Sequence, residues 1–326
     1  MQPSQVLFQG EALPRALPVC DHYAGTEVRM LKALQLQAEL GPVFDITLDC
    51  EDGAPVGKEA EHAELVVQIL QSPDNKFNRV GVRIHDPSHA HWKKDVSILV
   101  GNAGEQIAFV MIPKVDSAKQ TQAVIDEINR IAKTAGIQKS LPIQVLIETH
   151  GALKDVDAIA ALPQVESLSF GLMDFVSAHH GAIPANAMDR GQFDHPLVAR
   201  AMLEISAACH AHGKVPSHNV CTNINDVNII ESDTLRAKNE FAYTRKWSIH
   251  PNQIPVIVKA LSPSSDEVEL ASAILLAAQA AQWGPIQHDG KLHDRASYRY
   301  FWTVLQKAHA AGQSISDDAK KLITLS

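Results

Sequence analysis

Eight short runs of β-branched and other apolar residues recur at nearly regular intervals, and stretches with helical periodicity lie between most of them. Strands of a parallel sheet read as continuous apolar runs because helices cover the sheet. Eight such units within about 240 residues predict an α/β fold, a closed (β/α)8 or TIM barrel. The predicted strands are Leu17–Cys20, Val43–Leu48, Val80–Ile84, Ala108–Ile112, Ile143–Ile147, Ser167–Phe170, Lys214–Ser217 and Lys246–Ile249.

An open doubly wound sheet is the alternative, because two of the predicted strands are weak. Leu17–Cys20 contains Pro18, and Lys214–Ser217 is polar. Against an open sheet, no GxGxxG motif follows a predicted strand, so the usual sign of a dinucleotide-binding sheet is missing. The pattern favours the barrel.

The chain continues beyond the eighth predicted strand, which indicates a second part. Residues 1–261 are predicted to form the barrel domain, and residues 262–326 a C-terminal helical arm. Asp266–Trp283 and Ala296–Ala311 read as helices, and Ile286–Asp294 between them reads as a polar loop. We expect such an arm to pack on a neighbouring subunit or to cover the mouth of a site.

Composition and charge argue against several functions. The chain has 326 residues and a net charge of −8, which disfavours binding to nucleic acid or to an anionic membrane. No apolar run approaches the roughly 18 residues that a membrane helix needs. The N-terminus has no secretory pattern, so a cytoplasmic location is the default expectation. The four cysteines show no zinc or redox spacing.

Charged residues gather where the predicted strands end, and this is where TIM barrels carry their chemistry. The second strand runs into Asp49–Asp52, the third carries Arg83, and the fourth ends near Lys114; Glu148 follows the fifth, and Gly171–Asp174 follows the sixth. So many carboxylates in one cavity would repel one another without a bound cation or raised pKa values. Oxygen ligands suit Mg²⁺ or Mn²⁺.

Two simpler interpretations stand beside the metal site. Acidic residues after strands often cap helices, and Asp174 or Glu148 taken alone fits that role, although Glu is a poor cap. Arg83 lies in an otherwise apolar strand, where a buried arginine needs a carboxylate or an anionic ligand. Taken together, the residues favour a metal-dependent anion-binding site.

The order of these motifs resembles the citrate lyase β-subunit/HpcH–HpaI aldolase superfamily. The C-terminal arm makes the resemblance closest to the citrate lyase β-subunit and malyl-CoA lyase branch. Six segments, each at a predicted strand end, carry the resemblance: LDCEDGAP (Leu48–Pro55), VRIHD (Val82–Asp86), MIPKV (Met111–Val115), IETHGAL (Ile147–Leu153), FGLMDF (Phe170–Phe175) and KWSIHPNQ (Lys246–Gln253).

The resemblance implies a TIM barrel that makes or breaks a carbon–carbon bond beside a carbonyl, with bound Mg²⁺ or possible Mn²⁺. It implies that Glu148 and Asp174 are the metal ligands and that Glu51 and Asp52 hold the metal's waters. It also implies that Arg83 binds the oxygen of a keto acid.

Four further residues are expected at the site. Lys114, Gly171 and Met173 are expected to line the substrate site, with Lys114 stabilising the acidic surplus or pairing with Glu148 or Asp49. Asp294 lies in a segment that resembles the one where malyl-CoA lyases carry an acid/base aspartate for an adjacent subunit. A solvated loop carboxylate is the alternative for Asp294. A homotrimer or a hexamer of stacked trimers is therefore expected.

The sequence departs from the family pattern at four places. Val19–Gly25 stands where relatives have a Phe-Val-Pro-Gly-like turn that helps to bind coenzyme A. His85 replaces the usual Asn, Lys58–His62 lacks the usual arginine, and Pro216–Asn219 replaces a loop of small residues. These changes leave the acyl partner open.

The sequence is consistent with four hypotheses about the function. The leading hypothesis is a Mg²⁺-dependent carbon–carbon lyase of the retro-Claisen or aldol type that acts on a 3-hydroxyacyl thioester. Its small-molecule partners would be a keto acid and an acyl-CoA. The alternatives are an aldolase that releases pyruvate from a free hydroxy-keto acid, an acyl-CoA thioesterase on the same scaffold, and a non-catalytic subunit of a lyase complex.

Overall fold

A computed structural model describes residues 3–11, 13 and 15–324 of the chain. The chain divides into two compact units, Val19–Leu261 and a second unit in which the segment up to Pro18 groups with the segment from Ser262 onward. Within the described part of the first unit, eight parallel strands close into a barrel in which each strand pairs with the next and the eighth pairs with the first. The predicted TIM barrel is confirmed.

The strands and helices alternate along the first unit. The barrel strands are β1 Cys20–Ala24, β2 Phe44–Asp49, β3 Val80–Arg83, β4 Val110–Ile112, β5 Ile143–Ile147, β6 Val165–Phe170, β7 Val215–His218 and β8 Arg245–Ser248. The α-helices of the described residues are α1 Pro3–Phe8, α2 Glu27–Leu40, α3 Glu59–Leu70, α4 Trp92–Ala103, α5 Ala118–Thr134, α6 His150–Lys154, α7 Val156–Ala160, α8 Leu172–Ser177, α9 Pro196–Ala211, α10 Val227–Phe241, α11 Gln253–Leu261, α12 Ser265–Ala280, α13 Arg295–Ala310 and α14 Asp317–Thr324. Two short 3₁₀ helices, Ala185–Met188 and Arg190–Phe193, follow α8.

Side chains along each strand alternate between the barrel interior and the outer core beneath the helices. In β2, Ile46 and Leu48 belong to that outer apolar core, whereas the side chains of Thr47 and Asp49 bond to polar groups of neighbouring strands. The interior is therefore more polar than the outer core. Its apolar part is a small cluster of Phe109, Met111, Leu146 and Trp247.

A buried ion-pair cluster occupies the N-terminal half of the barrel interior. Arg245, at the start of β8, lies 2.7 Å from Asp45 Oδ2 and 3.2 Å from Asp21 Oδ2, and Thr47 Oγ1 donates to Asp21 Oδ1 at 2.8 Å. All three charged side chains are almost completely buried. Each charge is compensated by the others, which is the condition for burying such groups.

The first strand lies three residues later than predicted, because β1 is Cys20–Ala24 and not Leu17–Cys20. Pro18 has no N–H group for a ladder hydrogen bond, so the apolar run before Cys20 is a poor strand. Asp21 interrupts the apolar pattern of the real strand, and only its pair with Arg245 explains its burial. The other seven predicted strands differ from the observed ones by at most two residues at either end.

The second unit has its own apolar core. Val268 and Leu275 of α12 pack there with Leu305 of α13, and Phe8 of α1 meets Trp302 edge to face with ring centroids 5.3 Å apart. The N-terminal helix thus groups with the C-terminal helices, whereas the predicted division of 1–261 and 262–326 placed it with the barrel.

The polar segment before α13 is a hairpin, so the predicted loop over Ile286–Asp294 is wrong. Strands β9 Ile286–His288 and β10 Lys291–His293 pair antiparallel. The two turn residues, Asp289 and Gly290, have φ angles of 47° and 75°. Asp-Gly favours such a two-residue turn because both residues tolerate positive φ. No described helix is long and apolar enough to cross a membrane.

The buried cluster generates a prediction about stability. Arg245→Met should lower the free energy of unfolding by about 3–5 kcal/mol, because it leaves the carboxylates of Asp21 and Asp45 buried without their partner. Urea denaturation followed by circular dichroism measures this loss. In the control variant Arg200→Ala, which removes a surface pair with Glu204, the loss should stay below about 1 kcal/mol. Equal losses in the two variants would contradict the assignment.

Candidate active site

The strand ends bring most of the predicted site residues together at one mouth of the barrel. Asp49 ends β2, Arg83 ends β3 and Glu148 directly follows β5. Asp174 lies in the first turn of α8, which begins after β6. In a parallel barrel these positions share the C-terminal face, which is why the sequence pattern could locate them.

Asp49 is the most fully hydrogen-bonded of these carboxylates. Arg83 donates to it from Nε and Nη2 at 2.5 and 2.9 Å, and the Tyr23 hydroxyl donates at 2.6 Å. The backbone N–H groups of Glu51 and Gly53 complete the set at 3.0 and 2.7 Å. Burial alone would raise the pKa of Asp49, but the charge and hydrogen bonds of Arg83 outweigh burial and lower it.

The guanidinium group of Arg83 contacts both acidic and aromatic side chains. Its Nη1 lies 3.0 Å from Glu51 Oε2, and its Cζ atom lies 5.2 and 5.9 Å from the ring centroids of Tyr23 and Trp247. The partner that the sequence did not reveal is Asp49, 34 residues earlier in the chain. A two-pronged pair with a carboxylate fixes the orientation of the guanidinium group more tightly than a single bond would.

Lys114 contacts three further acids of the mouth. Its Nζ lies 2.5 Å from Glu51, 2.7 Å from Asp52 and 3.8 Å from Asp174. The expected pairing of the ammonium group with Glu148 or Asp49 is therefore wrong. Lys114 also has a φ angle of 48°, a left-handed conformation that costs a non-glycine residue on the order of 1 kcal/mol and persists where the surroundings impose it.

Glu148 is the exception among the acids because it is buried and forms no ion pair with a described residue. Its Oε1 accepts one hydrogen bond, from the backbone N–H of Lys114 at 2.8 Å. Burial, and then the charge of Asp174, raise the pKa of Glu148 to about 8. A Cβ atom on Gly171 would come within 2.1 Å of Glu148 Oε2, so only glycine leaves room for this carboxylate.

A magnesium ion fits the chemistry of this donor set. Carboxylate oxygens are hard ligands, and Mg²⁺ is usually held by one or two carboxylates while it keeps several waters. Over the described residues, no three His, Cys, Asp or Glu side chains are grouped closely enough to enclose a metal. Glu148 and Asp174 place two carboxylates at the mouth.

Two other residues that the sequence singled out lie just after β6 and β3. Met173, in the first turn of α8, is partly exposed. The ring of His85 bonds through Nδ1 to Asp95 Oδ2 at 2.5 Å and stacks on His89 at a centroid distance of 4.2 Å. Burial alone would lower the pKa of His85, but the hydrogen bond and charge of Asp95 raise it.

Asp294 lies in the second unit, where it is the N-cap of α13. Its Oδ1 accepts from the backbone N–H groups of Ala296 and Ser297 at 3.0 and 3.4 Å, and the Asp294 N–H group donates to Ser297 Oγ at 3.2 Å. This capping box gives the exposed carboxylate a local structural role. A catalytic role for Asp294 stays a prediction.

Comparison with known proteins gives three findings. The sequence model of the HpcH/HpaI aldolase/citrate lyase family matches residues 43–251. An L-malyl-CoA/beta-methylmalyl-CoA lyase of Rhodobacter capsulatus is 27% identical over 279 residues, which cover 82% of this chain and 87% of that protein. The crystal structure of a citrate lyase from Burkholderia xenovorans LB400 is 56% identical, with a TM-score of 0.87 over 99% of each chain.

A more distant structure has the same fold. The protein CitE from Mycobacterium tuberculosis, in complex with magnesium, acetoacetate and coenzyme A, is 22% identical, with a TM-score of 0.66 over 92% of this chain and 99% of that chain.

The close approach of Gly171 to Glu148 generates a second prediction. Gly171→Ala should weaken Mg²⁺ binding by at least roughly tenfold, because the new methyl group displaces the carboxylate. Isothermal titration calorimetry with MgCl₂ measures the affinity. The control is Gly101→Ala in α4, where the added Cβ would meet only Ile131 at 3.8 Å, and its affinity should match wild type. Unchanged affinity in Gly171→Ala would contradict a role for Glu148 as ligand.

Proposed function

Because this chain is a carbon–carbon lyase of the HpcH/HpaI aldolase/citrate lyase family, we propose that it is magnesium-dependent and acts on a 3-hydroxyacyl thioester. The observation that carries the proposal is the buried Glu148 carboxylate, which has no ion-pair partner among the described residues although Arg83 and Lys114 lie at the same mouth. A mouth whose other acids pair with Arg83 or Lys114, and whose buried Glu148 has no such pair, is suited to a bound cation.

The substrate class rests on the Rhodobacter capsulatus relative, whose name gives two acyl thioesters of coenzyme A. In the cleavage direction the C3 hydroxyl loses its proton, the C2–C3 bond breaks and C3 becomes the carbonyl carbon of a 2-oxo acid. The electron pair of the broken bond passes into the enolate of the shorter acyl thioester, which then takes up a proton at C2. Condensation follows the same steps in reverse.

Glu148 and Asp174 are the proposed ligands of the ion. When bound, Mg²⁺ supplies a Lewis acid that polarises the carbonyl oxygen of the 2-oxo acid and offsets the negative charge of the mouth. Glu148 binds a cation only as the carboxylate, so the ion must displace the proton that its raised pKa favours. The bound magnesium of the Mycobacterium tuberculosis structure supports the choice of this metal.

Arg83 is the proposed anchor of the 2-oxo acid. Asp49 accepts hydrogen bonds from Arg83 Nε and Nη2, and Arg83 Nη1 lies next to the Glu51 carboxylate. A guanidinium group fixed on one edge presents its remaining N–H groups without a loss of side-chain entropy on binding. This arrangement supports recognition of a carboxylate or carbonyl oxygen beside the ion.

The remaining residues of the mouth have proposed supporting roles. Glu51 and Asp52, which now pair with Lys114, are proposed to hold water of the bound ion. Lys114 is proposed to contact substrate from the same position. Gly171 keeps space open beside Glu148, and Met173 is proposed to line the substrate site.

Asp294 is the proposed acid that exchanges the C2 proton, and we propose that it serves the site of an adjacent subunit in a homotrimer or hexamer. Its Oδ1 is engaged by the first turn of α13, whereas its side chain as a whole is exposed. An exposed carboxylate with one oxygen fixed has a defined orientation for its second oxygen, which favours proton transfer.

The proposed function is tested by an assay panel of malyl-CoA, citramalyl-CoA, a citryl thioester and free hydroxy-keto acids, each with and without Mg²⁺. We expect Mg²⁺-dependent cleavage of a thioester. Glu148→Gln and Asp174→Asn should each lower the rate at least about a hundredfold, because a loss of several kcal/mol of charge stabilisation slows a reaction tenfold per about 1.4 kcal/mol.

The matched control is Glu204→Gln, on the surface of α9, which should keep the wild-type rate. Full activity in EDTA would overturn the metal assignment. Cleavage of free acids alone would identify an aldolase, and release of coenzyme A without carbon–carbon cleavage would identify a thioesterase. A folded protein that is inactive on the whole panel would agree with a non-catalytic subunit.

A mixing experiment tests the shared site. Glu148→Gln and Asp294→Asn should each be nearly inactive alone, and 1:1 mixtures that exchange subunits should regain up to about a quarter of wild-type activity, the share of interfaces that pair two intact halves. Light scattering and native mass spectrometry establish the oligomer and the exchange. A monomer, or no recovery after demonstrated exchange, would contradict the proposal for Asp294.

A further inference from the structure

Three polar side chains on neighbouring strands of the barrel have no hydrogen-bond partner among the described residues. They are Ser169 Oγ of β6, Ser217 Oγ of β7 and Trp247 Nε1 of β8. The residues are 1%, 0% and 6% exposed, so water at the surface does not satisfy them. A buried group without a partner costs about 1–3 kcal/mol, and most buried groups in proteins are therefore paired.

The alternation of side chains places all three inside the barrel. Leu168 and Phe170, on either side of Ser169, belong to the outer apolar core. Ser217 is the register partner of Ser169. In β8, Lys246 bonds to the side chain of His218 on the outer face, so Trp247 next to it faces inward with the interior cluster.

Trp247 also adjoins the proposed anchor of the 2-oxo acid. Its ring stacks on Tyr23 with a centroid distance of 6.0 Å and an interplanar angle of 21°, and Arg83 Cζ lies 5.9 Å from the Trp247 ring centroid. The unpartnered donor is therefore close to the guanidinium group at the mouth. The buried side chains that form the interior cluster with Trp247, which are Phe109, Met111 and Leu146, are apolar.

We propose that Trp247 Nε1–H, with the hydroxyls of Ser217 and Ser169, forms a subsite for the carboxylate of the 2-oxo acid. The proposal rests on the proposed function and names residues that determine which keto acid the lyase accepts. An indole N–H only donates, and two serine hydroxyls can add two further donated hydrogen bonds. A carboxylate accepts several such bonds, and its negative charge strengthens each of them.

Because the three groups have no hydrogen-bond partner among the described residues, a role in ligand binding can be distinguished by experiment from a role in the fold. Removing a donor that bonds to nothing in the free protein breaks no hydrogen bond, so the loss of the donor alone should leave stability unchanged or raise it. Removing it from the complex leaves a ligand oxygen unpaired, so affinity should fall. A residue that only supports the fold would show the opposite pattern.

The experiment is calorimetric titration of the whole protein in MgCl₂ with glyoxylate, pyruvate and oxaloacetate. Trp247→Phe keeps an aromatic ring and removes the N–H group. It should weaken binding of the acid that wild type prefers by roughly ten- to a hundredfold, with a fall in Tm no larger than that of Trp302→Phe, because both variants lose the same ring atoms from a buried position. Ser217→Ala should weaken binding in the same direction, with no fall in Tm.

Two matched controls define the background. Trp302→Phe removes an equally buried and unpartnered indole N–H in the second unit, and should leave binding unchanged. Ser167→Ala removes a hydroxyl of β6 that does have a partner, Val215 O at 2.7 Å, and should lower Tm without the loss of affinity seen in Trp247→Phe.

The possible outcomes test the subsite and the proposed function separately. Wild-type affinity in both Trp247→Phe and Ser217→Ala would overturn the subsite and leave the proposed function standing, since the three groups would then hold trapped water only. A fall in Tm with unchanged affinity would also overturn it. If wild type binds none of the three acids, the subsite and the proposed keto-acid substrate both fail.

Discussion

The carboxylate of Asp49 binds two nitrogen atoms of Arg83, and the geometry of the barrel mouth depends on this pair. Asp49 has no freedom to move, because the Tyr23 hydroxyl and two backbone N–H groups of the following loop bind the same two oxygens. The loop after β2 is thereby fixed to β1 and β3. This loop carries Glu51, which pairs with both Arg83 and Lys114. The buried carboxylate of Asp49 therefore positions the charged groups on half of the mouth.

Charge compensation explains why this interior tolerates so many ionised groups. Arg245 pairs with two carboxylates in the N-terminal half of the barrel, and Arg83 and Lys114 pair with those of Asp49, Glu51, Asp52 and Asp174 at the mouth. Buried charges are stable only when they are paired in this way. Glu148 breaks the rule, and burial raises its pKa to about 8 as a consequence. A buried acid without an ion pair, at a mouth whose other acids are paired, is the basis for the proposed cation site.

The sequence predicted the fold and the positions of the main site residues, because apolar runs mark strands and chemistry follows strand ends. It could not predict β1, whose Asp21 is explained only by Arg245 more than two hundred residues later. For the same reason it missed Asp49 as the partner of Arg83, since a long-range pair leaves no local pattern. The hairpin before α13 does leave a signal, the Asp289-Gly290 dipeptide, although the polar residues around it favour a loop.

The central claim is that Glu148 and Asp174 hold a divalent cation beside Arg83. A crystal structure of the protein soaked with MnCl₂ and a 2-oxo acid, with data collected at the manganese absorption edge, tests it most directly. The account predicts one anomalous peak per barrel between the carboxylates of Glu148 and Asp174, with the acid in contact with Arg83. A peak at other residues, or a mouth that holds the acid without any metal, would contradict it.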